Sequence, residues 1–363
     1  MKKIARQVRK VGLASSDWSQ SIFDQRGFPV QGGAGWIRFG QVAPYMRNHL
    51  VMGYLQPFLD HMAVETYDRV LHQDISVMIL QRQMGKNVSG LIKNSQRAGI
   101  PVINDVDDWF WGLHEENDAA KIVDPENNKN SNINYYRDSI EASDLVTVST
   151  PFLAEKISEW NPNVQIIENS VLSACFKRRH HSLKKPIIGW CGSTAHRSDD
   201  LKILIEPFKS MGTFVNFHHT GDNKDSTPFY KKIKVSPLRV STLPMLSPLE
   251  YPQGFNFDIG VVPLNDIPFN DAKSWIKGLE YAAAGVPFIA SPSREYVRLK
   301  EEYGIGRLAG TPEEWVHHLS ELLDPKVREA ESIHNRSIVK AEFGVEKMGK
   351  AWDQIIWEVL GEA

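Results

Sequence analysis

The densest group of chemically useful side chains follows a short apolar run in the first half of the chain. Residues 104–111 read NDVDDWFW and place Asp105, Asp107 and Asp108 where a buried strand is predicted to end. Carboxylates at this spacing can bind a divalent metal ion, orient or deprotonate a hydroxyl group, or cap the following turn. The aromatic rings beside them can stack on a sugar or a base. The pattern leaves these alternatives open.

A second segment combines an acidic helix with small residues and a buried strand. Residues 273–291 read KSWIKGLEYAAAGVPFIAS, in which a helix carrying Glu280 ends at Gly285 before a strand. Ser274 is expected to cap the start of this helix. Free N–H groups at a helix start attract phosphate, and Lys273 would add a positive charge. The alternative for Glu280 is a solvated helix carboxylate.

A strand that opens into a polar loop provides a third candidate. Residues 187–197 read IIGWCGSTAHR, and Gly192, Ser193 and Thr194 follow the predicted strand. Their N–H and hydroxyl groups can donate hydrogen bonds to phosphate, and Arg197 can supply charge.

A glycine cluster near the start of the chain is the fourth candidate. Residues 32–38 read GGAGWIR, and Gly33 and Gly35 would allow the backbone to approach a ligand closely. A plain turn before a helix is the alternative, because a short glycine cluster is a weak signal.

Strands and helices alternate along the chain, which is typical of parallel sheets with helices on both faces. The predicted strands are 76–80, 101–104, 144–148 and 164–167, and then 186–191, 213–218, 258–263 and 287–290. The predicted helices are 88–98, 151–159, 199–209, 274–284, 313–323 and 345–360, besides one from the glycine cluster to about residue 48. The fold class is therefore α/β with two Rossmann-like domains, which would bind ligands at the carboxyl ends of their strands across a cleft.

A basic segment in the middle of the chain sets the domain boundaries. Residues 177–185 (KRRHHSLKK) contain five Lys or Arg and no apolar face, as a linker would. It separates an N-terminal domain, 1–176, from a C-terminal domain, 186–344. The final amphipathic helix within 345–363 could pack back on the N-terminal domain.

Length and composition restrict the class of protein. The 363 residues, 42% of them apolar, suit two folded domains. The net charge of −2 argues against a protein devoted to nucleic acid, so the basic residues 1–10 are a solvated tail or, alternatively, an arm for an anionic partner. The sequence has neither a long apolar run nor a secretory signal, which predicts a cytoplasmic protein. Cys175 and Cys191 form no metal or redox motif and are expected to be reduced thiols.

Residues 273–291 resemble the donor-binding segment of glycosyltransferases with the GT-B fold, particularly those of glycosyltransferase family 4. The likeness lies in an acidic helix that is followed by small residues, Gly-x-Pro, two hydrophobic residues, Ala and Ser. It implies that Glu280 holds the ribose hydroxyls of a nucleotide sugar. The sequence departs from the family at Ala272, where the first glutamate of a Glu-x7-Glu pair would stand. Lys273 could contact the diphosphate instead.

Other segments resemble this family in the expected order. Residues 192–194 are similar to the first loop of the donor domain, and 32–38 to the glycine-rich loop that faces the donor phosphates and the acceptor. Residues 218–222 (HHTGD) resemble a strand-end glycine turn, and 241–246 the region that holds the base.

The resemblance implies a nucleotide-sugar-dependent glycosyltransferase that retains the anomeric configuration and needs neither a metal ion nor a further cofactor. Its donor would be a UDP- or GDP-sugar, whose diphosphate would be stabilised by Arg197, Lys273 or Lys202 and by helix N-termini. Since the family's chemistry needs no metal, we assign Asp107 and Asp108 to the acceptor hydroxyl, with turn capping as the alternative.

The resemblance leaves the acceptor open. A glycan is the family's commonest acceptor. The compact length and the glycine cluster also resemble phage-encoded members, some of which glycosylate hydroxymethylated bases in DNA, and the basic segments 1–10 and 177–185 would then contact phosphates. The alternatives to a transferase are a non-catalytic nucleotide- or sugar-binding protein, suggested by Ala272, and a sugar-nucleotide epimerase.

Overall fold

The computed structural model describes residues 7–23, 29–52, 75–115, 117–177, 185–194, 199–224 and 226–362. These residues belong to two compact units. The first draws on Met1–Trp111, Lys121–Asn169 and Val345–Ala363, and the second on Gly112–Ala120 and Ser170–Gly344. Each unit is built around one six-stranded sheet.

The described residues form the following strands and α-helices. The strands are β1 (Lys10–Ser15), β2 (Trp18–Phe23), β3 (Pro29–Gln31), β4 (His49–Met52), β5 (Val77–Gln81), β6 (Val102–Val106), β7 (Leu145–Val148), β8 (Val164–Ile166), β9 (Ile187–Cys191), β10 (Asn216–Asp222), β11 (Val240–Pro244), β12 (Ile259–Val262), β13 (Phe288–Ala290) and β14 (Arg307–Leu308). The helices are α1 (Gly33–Gly35), α2 (Val88–Arg97), α3 (Asp118–Val123), α4 (Ile133–Ala142), α5 (Pro151–Ile157), α6 (Ile205–Ser210), α7 (Phe229–Lys232), α8 (Pro268–Asp271), α9 (Ile276–Ala283), α10 (Arg294–Tyr303), α11 (Pro312–Glu321), α12 (Pro325–Glu342) and α13 (Val345–Val359).

The sheet of the first unit is parallel and has the strand order β4-β1-β5-β6-β7-β8. Every residue of β5, β6 and β7 is buried. Such uniformly buried strands are expected where helices cover both faces of a parallel sheet. A separate antiparallel hairpin joins β2 and β3.

The helices of the first unit begin and pack as their sequences require. At the start of α5, the Thr150 hydroxyl accepts a hydrogen bond from the Leu153 N–H, and Pro151 occupies the first turn, as predicted. Along α13, Val345, Met348 and Trp352 are buried against Val11 and other residues of the first unit's core.

The long helix predicted after the glycine cluster is wrong. The chain forms only the single turn α1, then a π-helix over Trp36–Gly40 and a 3-10 helix over Ala43–Tyr45. Pro44 has no N–H group to donate in an α-helix, and a Cβ on Gly40 would lie 2.4 Å from the ring of Trp36. The tight ring contact and the proline fit a helix that changes its hydrogen-bond pattern rather than continuing.

The sheet of the second unit is also parallel, with the order β11-β10-β9-β12-β13-β14. Alternate residues of its strands enter two separate cores, because successive side chains in a strand point to opposite faces. Val261 and Ile289 belong to one core, whereas Val262 and Ala290 belong to the other. Helices therefore cover both faces, which confirms the predicted α/β class.

Two predictions in the second unit, one of a helix and one of a turn, need correction. Residues 199–209 form a 3-10 helix over Asp199–Leu204 before α6. The glycine turn predicted at 218–222 lies within β10, whose pairing is irregular between Thr220 and Asp222.

No helix among the described residues is long and apolar enough to cross a membrane.

Candidate active site

The turn after β9 in the second unit has a fixed backbone. The Cys191 N–H donates a 2.9 Å hydrogen bond to the Tyr281 hydroxyl, and the Gly192 N–H donates a 2.8 Å bond to the Thr220 carbonyl. Gly192 has a φ of 150°, and a Cβ there would lie 3.0 Å from the Trp190 ring. Both the dihedral angle and the close contact explain why this position is glycine.

The side chains of Lys277 and His219 form hydrogen bonds with the two carbonyl groups of the same turn. The Lys277 ammonium donates a hydrogen bond to the Cys191 carbonyl oxygen, and His219 Nε2 lies 2.8 Å from the Gly192 carbonyl oxygen. The His219 ring stacks with both Trp190 and Phe229, at centroid distances of 5.3 and 5.0 Å, and these two rings also lie 5.7 Å from each other. Burial lowers the pKa of His219, so a neutral ring donates from Nε2. All four backbone polar groups of Cys191 and Gly192 are therefore satisfied.

Glu280 is a buried carboxylate one helical turn after Lys277. Burial raises its pKa to about 8, and the nearby Lys277 ammonium offsets part of this increase. Within the described part of the chain, no hydrogen-bond donor contacts its carboxylate. Since Glu280 keeps 7% of its exposure, a ligand that brings hydroxyl donors can reach a carboxylate that burial has deprived of much of its hydration.

The start of α9 differs from the prediction. The helix begins at Ile276 with Trp275 in the capping position, and no side chain caps it, so Ser274 is not the N-cap. Trp275 is buried against Tyr303 and Phe343. The helix start therefore coincides with the insertion of this indole into the core.

The predicted phosphate ligands are found in different surroundings. The Lys273 ammonium lies 4.0 Å from the centroid of the Phe269 ring, and Lys277, which was not predicted, donates to the β9 turn. Thr194 is buried with its hydroxyl 2.8 Å from that of Ser226, whereas Ser193 is half-buried. Arg197 lies outside the described residues.

Two further predicted segments lie on β10 and β11. His218 places Nδ1 2.8 Å from the Ser241 hydroxyl and Nε2 3.0 Å from the Thr220 hydroxyl. His218 therefore links the two strands.

Lys202, the alternative diphosphate ligand, is 62% exposed and pairs with Asp199. Lys202 therefore lies on the surface.

In the first unit, one guanidinium group binds three carboxylates at the carboxyl ends of β1, β5 and β6. Arg82 follows β5 with a φ of 52°. Its nitrogens lie 3.1 Å from Asp17, 2.7 Å from Asp107 and 2.6 Å from Asp108. The sequence identified Asp107 and Asp108 but neither Arg82 nor Asp17. A guanidinium among the carboxylates already supplies the positive charge that the metal alternative would have required.

Asp107 has an unusual affinity for protons in this cluster. Burial raises its pKa to about 6; Arg82 opposes the increase, and the neighbouring Asp108 adds to it. A carboxyl group with this pKa can exchange a proton near neutral pH.

Asp105 has a different environment from the other two aspartates of the segment. It lies within β6, fully buried, 2.7 Å from the guanidinium of the equally buried Arg38. Thr147 donates a 2.7 Å hydrogen bond to the same carboxylate. Arg38 also donates to the carbonyl of Ile167 and, at 3.0 Å, to the Asn169 side chain. This network lies in the interior and has a structural role.

The glycine loop of the first unit already binds an anion, which is Asp17. Its carboxylate accepts hydrogen bonds of 2.9 Å from the Ala34 N–H and 3.2 Å from the Gly35 N–H. A Cβ on Gly35 would lie 2.8 Å from the Ser15 hydroxyl, and Gly33 has a φ of 46°. A phosphate at this loop would therefore have to displace Asp17.

Three half-buried tryptophans lie together beside the Arg82 cluster. Trp109 stacks on Trp160 at 5.3 Å, and Trp111 stacks on the buried Tyr136 at 5.6 Å. Trp111 and Trp160 are 4.6 Å apart. These contacts fix the orientation of each indole ring. A protein surface on which the ring of a ligand stacks must be fixed in this way.

One group of three possible metal ligands occurs among the described residues: His317, His318 and Glu321 on α11. The Glu321 carboxylate forms an ion pair with Arg307, and His318 Nε2 is 3.0 Å from the Leu308 carbonyl. Because a cation and a backbone group occupy these atoms, we assign no metal to the group.

Known proteins resemble this chain in structure but not in sequence. No protein-family model matches it, and curated proteins include no match. A glycosyltransferase from Rickettsia africae has 12% identity and a TM-score of 0.66, and sucrose-phosphate synthase from Thermosynechococcus elongatus has 12% and 0.69. Anabaena HepE, solved with UDP and glucose, has 14% and 0.65. Each match covers 98% of this chain and 100% of the other.

These likenesses establish the fold. The two parallel α/β units match glycosyltransferase structures of the GT-B type over nearly the whole chain, so the predicted fold class is confirmed.

Proposed function

We propose that the protein is a glycosyltransferase that transfers a sugar from a nucleotide-diphosphate sugar to a hydroxyl acceptor. The observation that carries the proposal is the buried Glu280, which lacks a described hydrogen-bond donor and lies beside Lys277 at the β9 turn. In a parallel α/β sheet, ligands bind outside the carboxyl ends of the strands. The fold shared with glycosyltransferases supports the same assignment.

In this proposal the second unit holds the donor. The ribose hydroxyls donate to the Glu280 carboxylate, and the diphosphate accepts from the backbone and hydroxyl groups of Ser193 and Thr194. Lys277, together with Arg197 or Lys273, stabilises the charge that develops on the leaving diphosphate, because preorganised cations contribute strongly where charge develops. The HepE structure contains bound UDP and glucose. We therefore propose a UDP-sugar as the first donor to test with this chain.

In the same proposal the first unit provides the acceptor residues. Asp108 accepts a hydrogen bond from the acceptor hydroxyl, and Asp107, whose pKa is about 6, takes part in proton exchange. Arg82 keeps both carboxylates in place. The transfer is retaining and metal-independent, and the domains are 1–176 and 186–344, joined by 177–185, with the last helix in 345–363.

We further propose a neutral glycan acceptor rather than DNA. Among the described residues, three carboxylates surround the guanidinium of Arg82, so these four groups carry excess negative charge when ionised and repel a polyanion. The fixed indole rings of Trp109, Trp111 and Trp160 suit the apolar faces of sugar rings.

A thermal-shift panel of nucleotides and nucleotide sugars tests the donor assignment. A bound nucleotide at about a hundred times its dissociation constant should stabilise the protein by about 2.7 kcal/mol. We expect this stabilisation with a UDP or GDP species and its loss in Glu280→Ala. If no nucleotide shifts the melting temperature, the assignment is wrong. Transfer to neutral oligosaccharides, compared with hydroxymethylated DNA, tests the acceptor.

A non-catalytic binding protein is the second candidate. Ala272 is completely buried, so this position cannot contact the transferred sugar. This candidate predicts nucleotide binding without donor hydrolysis or transfer, and either reaction in a purified sample would exclude it.

A further inference from the structure

Two apolar side chains project from the amino-terminal end of the second unit's sheet. Phe214 is 71% exposed and Leu238 is 96% exposed. Phe214 lies two residues before β10, and Leu238 lies two residues before β11. These strands are neighbours, with Phe217 opposite Val240. The register therefore places both side chains at the same edge of the sheet, at the end opposite the β9 turn.

Basic residues occupy the segment that leads into Leu238 and strand β11. Lys231 and Lys232 end α7, and Lys234, with a φ of 52°, lies in the turn that leads to β11. None of these three lysines forms an ion pair with a described residue, and residues 226–249 contain no Asp or Glu. The chain also enters the adjacent strand β9 directly after Lys185 and Pro186. We call Phe214, Leu238, Lys231, Lys232 and Lys234 the basic-apolar surface.

We propose that the basic-apolar surface docks the protein on an anionic lipid bilayer. Lysines near such a membrane are attracted by the negative potential of its headgroups, and projecting Phe and Leu side chains insert at the boundary between headgroups and acyl chains. The Leu238 side chain is almost fully exposed, so its insertion into a bilayer removes apolar surface from water. This removal lowers the free energy of the bound state. The charge and the apolar side chains therefore act in the same direction.

The alternative occupants fit the same residues less well. A symmetric pair of copies would bring the three lysines against their own counterparts, because each patch in a two-fold contact faces itself, and like charges repel. Nucleic acid would use the lysines, but Leu238 has no aromatic face on which a base could stack. A lipid surface uses both kinds of side chain.

Vesicle sedimentation tests the proposal on the full chain. We expect binding to vesicles of phosphatidylcholine with phosphatidylglycerol, little binding to phosphatidylcholine alone, and weaker binding at high salt. Replacing Phe214 and Leu238 together by Ser should weaken partition by about tenfold or more. The triple change Lys231→Gln, Lys232→Gln and Lys234→Gln should weaken it by roughly a hundredfold, since each lysine contributes about fivefold.

Matched changes elsewhere are the controls. Ile333→Ser alters another exposed apolar side chain, and Lys93→Gln, Lys121→Gln and Lys129→Gln remove the same charge from exposed positions of the first unit. Melting temperatures should be nearly unchanged throughout, because all these side chains are exposed except that of Lys232, which is half-buried.

Three outcomes would overturn the proposal. They are the absence of binding to anionic vesicles, equal loss in the control variants, and a loss of self-association or of DNA binding, rather than lipid binding, in the surface variants. The docking surface does not depend on the proposed sugar transfer, and nucleotide binding by the same variants should remain normal.

Discussion

The ammonium group of Lys277 donates a hydrogen bond to the carbonyl oxygen of Cys191, which joins helix α9 to the end of strand β9. The same ammonium contributes to the electrostatic environment of Glu280, one turn further along α9. Lys277 therefore connects the fixed turn to the buried carboxylate. Its position should make the proposed donor site sensitive to both charge and pH.

Glu280 should make nucleotide binding depend on pH. Its pKa is raised to about 8 by burial, so the carboxyl group is largely protonated at neutral pH, whereas ribose hydroxyls need an ionised acceptor. Affinity for UDP should therefore rise with pH, by about tenfold per unit below pH 8, and then level off. Calorimetric titration across this range measures the effect. Glu280→Gln should remove it, and Glu302→Gln, an exposed control, should not.

Glu280 should also affect folding stability with a defined sign. Its folded-state pKa is raised from 4.5 to about 8, so the stabilisation from proton binding is present below pH 4.5 and is lost as the pH rises through 8. Chemical unfolding of wild type and Glu280→Gln at several pH values compares the two slopes. Equal slopes in both proteins would contradict this origin.

Lys277→Met should weaken nucleotide binding far more than a change at Lys202. Removing a cation that faces a diphosphate costs about 2 kcal/mol or more, which corresponds to about thirtyfold in affinity. Lys202→Met is the matched control, because Lys202 is exposed and forms a surface ion pair with Asp199. Comparable losses in the two variants would show that Lys277 has no special role.

Arg82→Met should destabilise the first unit in a pH-dependent manner. The change leaves Asp17, Asp107 and Asp108 without their shared cation, and the expected cost is about 2–4 kcal/mol at neutral pH, since Arg82 is 17% exposed. Without Arg82 the pKa of Asp107 rises further, so the loss should shrink as the pH falls and the carboxyl groups become protonated. Urea unfolding at acidic and neutral pH measures this difference. Arg137→Met, which breaks a surface pair, should cost at most about 1 kcal/mol.

Two aspartates of the same segment should respond in opposite ways to amidation. Asp105→Asn leaves Arg38 as an uncompensated buried charge and should cost about 3–5 kcal/mol of stability. Asp108→Asn keeps a polar side chain of the same shape beside Arg82, which also pairs with Asp17 and Asp107, so it should cost less stability than Asp105→Asn but lower transfer activity by about a hundredfold or more. Unfolding and kinetic measurements on both variants separate the roles; full activity in Asp108→Asn would refute its acceptor role.

Both cysteines should resist modification in the folded protein. Cys175 and Cys191 are free and buried, as the sequence predicted for reduced thiols. Burial raises the pKa of Cys191 to about 12 and that of Cys175 well above its usual value, so neither is a thiolate at neutral pH. A thiol reagent should label neither thiol under native conditions and both in denaturant.

Local sequence patterns were sufficient to predict several buried strands and one helix start. The apolar runs of β5, β6, β7 and β12 and the Thr150–Pro151 helix start were predicted to within a few residues. The start of α9 was wrong, because the Trp275 ring packs against Phe343, a tertiary contact that no local pattern contains. The helix predicted at the glycine cluster was too long, because the regular α-helix ends after one turn, ahead of the close contact between Gly40 and the Trp36 ring.

The main omissions in the candidate site are residues whose partners are distant in sequence. Arg82 and Asp107 are 25 positions apart, Arg82 and Asp17 are 65 apart, and Lys277 and Cys191 are 86 apart. One signal was available for Lys277. It lies three residues before Glu280 on a predicted helix, and residues at this spacing share a helix face.

Helix α13 is made after the whole of residues 170–344, yet Val345 and Trp352 complete the core around Val11 and Leu13. Domains usually fold as units while the chain leaves the ribosome. The second unit can form its complete hydrophobic cores at a stage when the first unit still lacks helix α13. We therefore expect the middle of the nascent chain to reach its native state ahead of the part that is translated first.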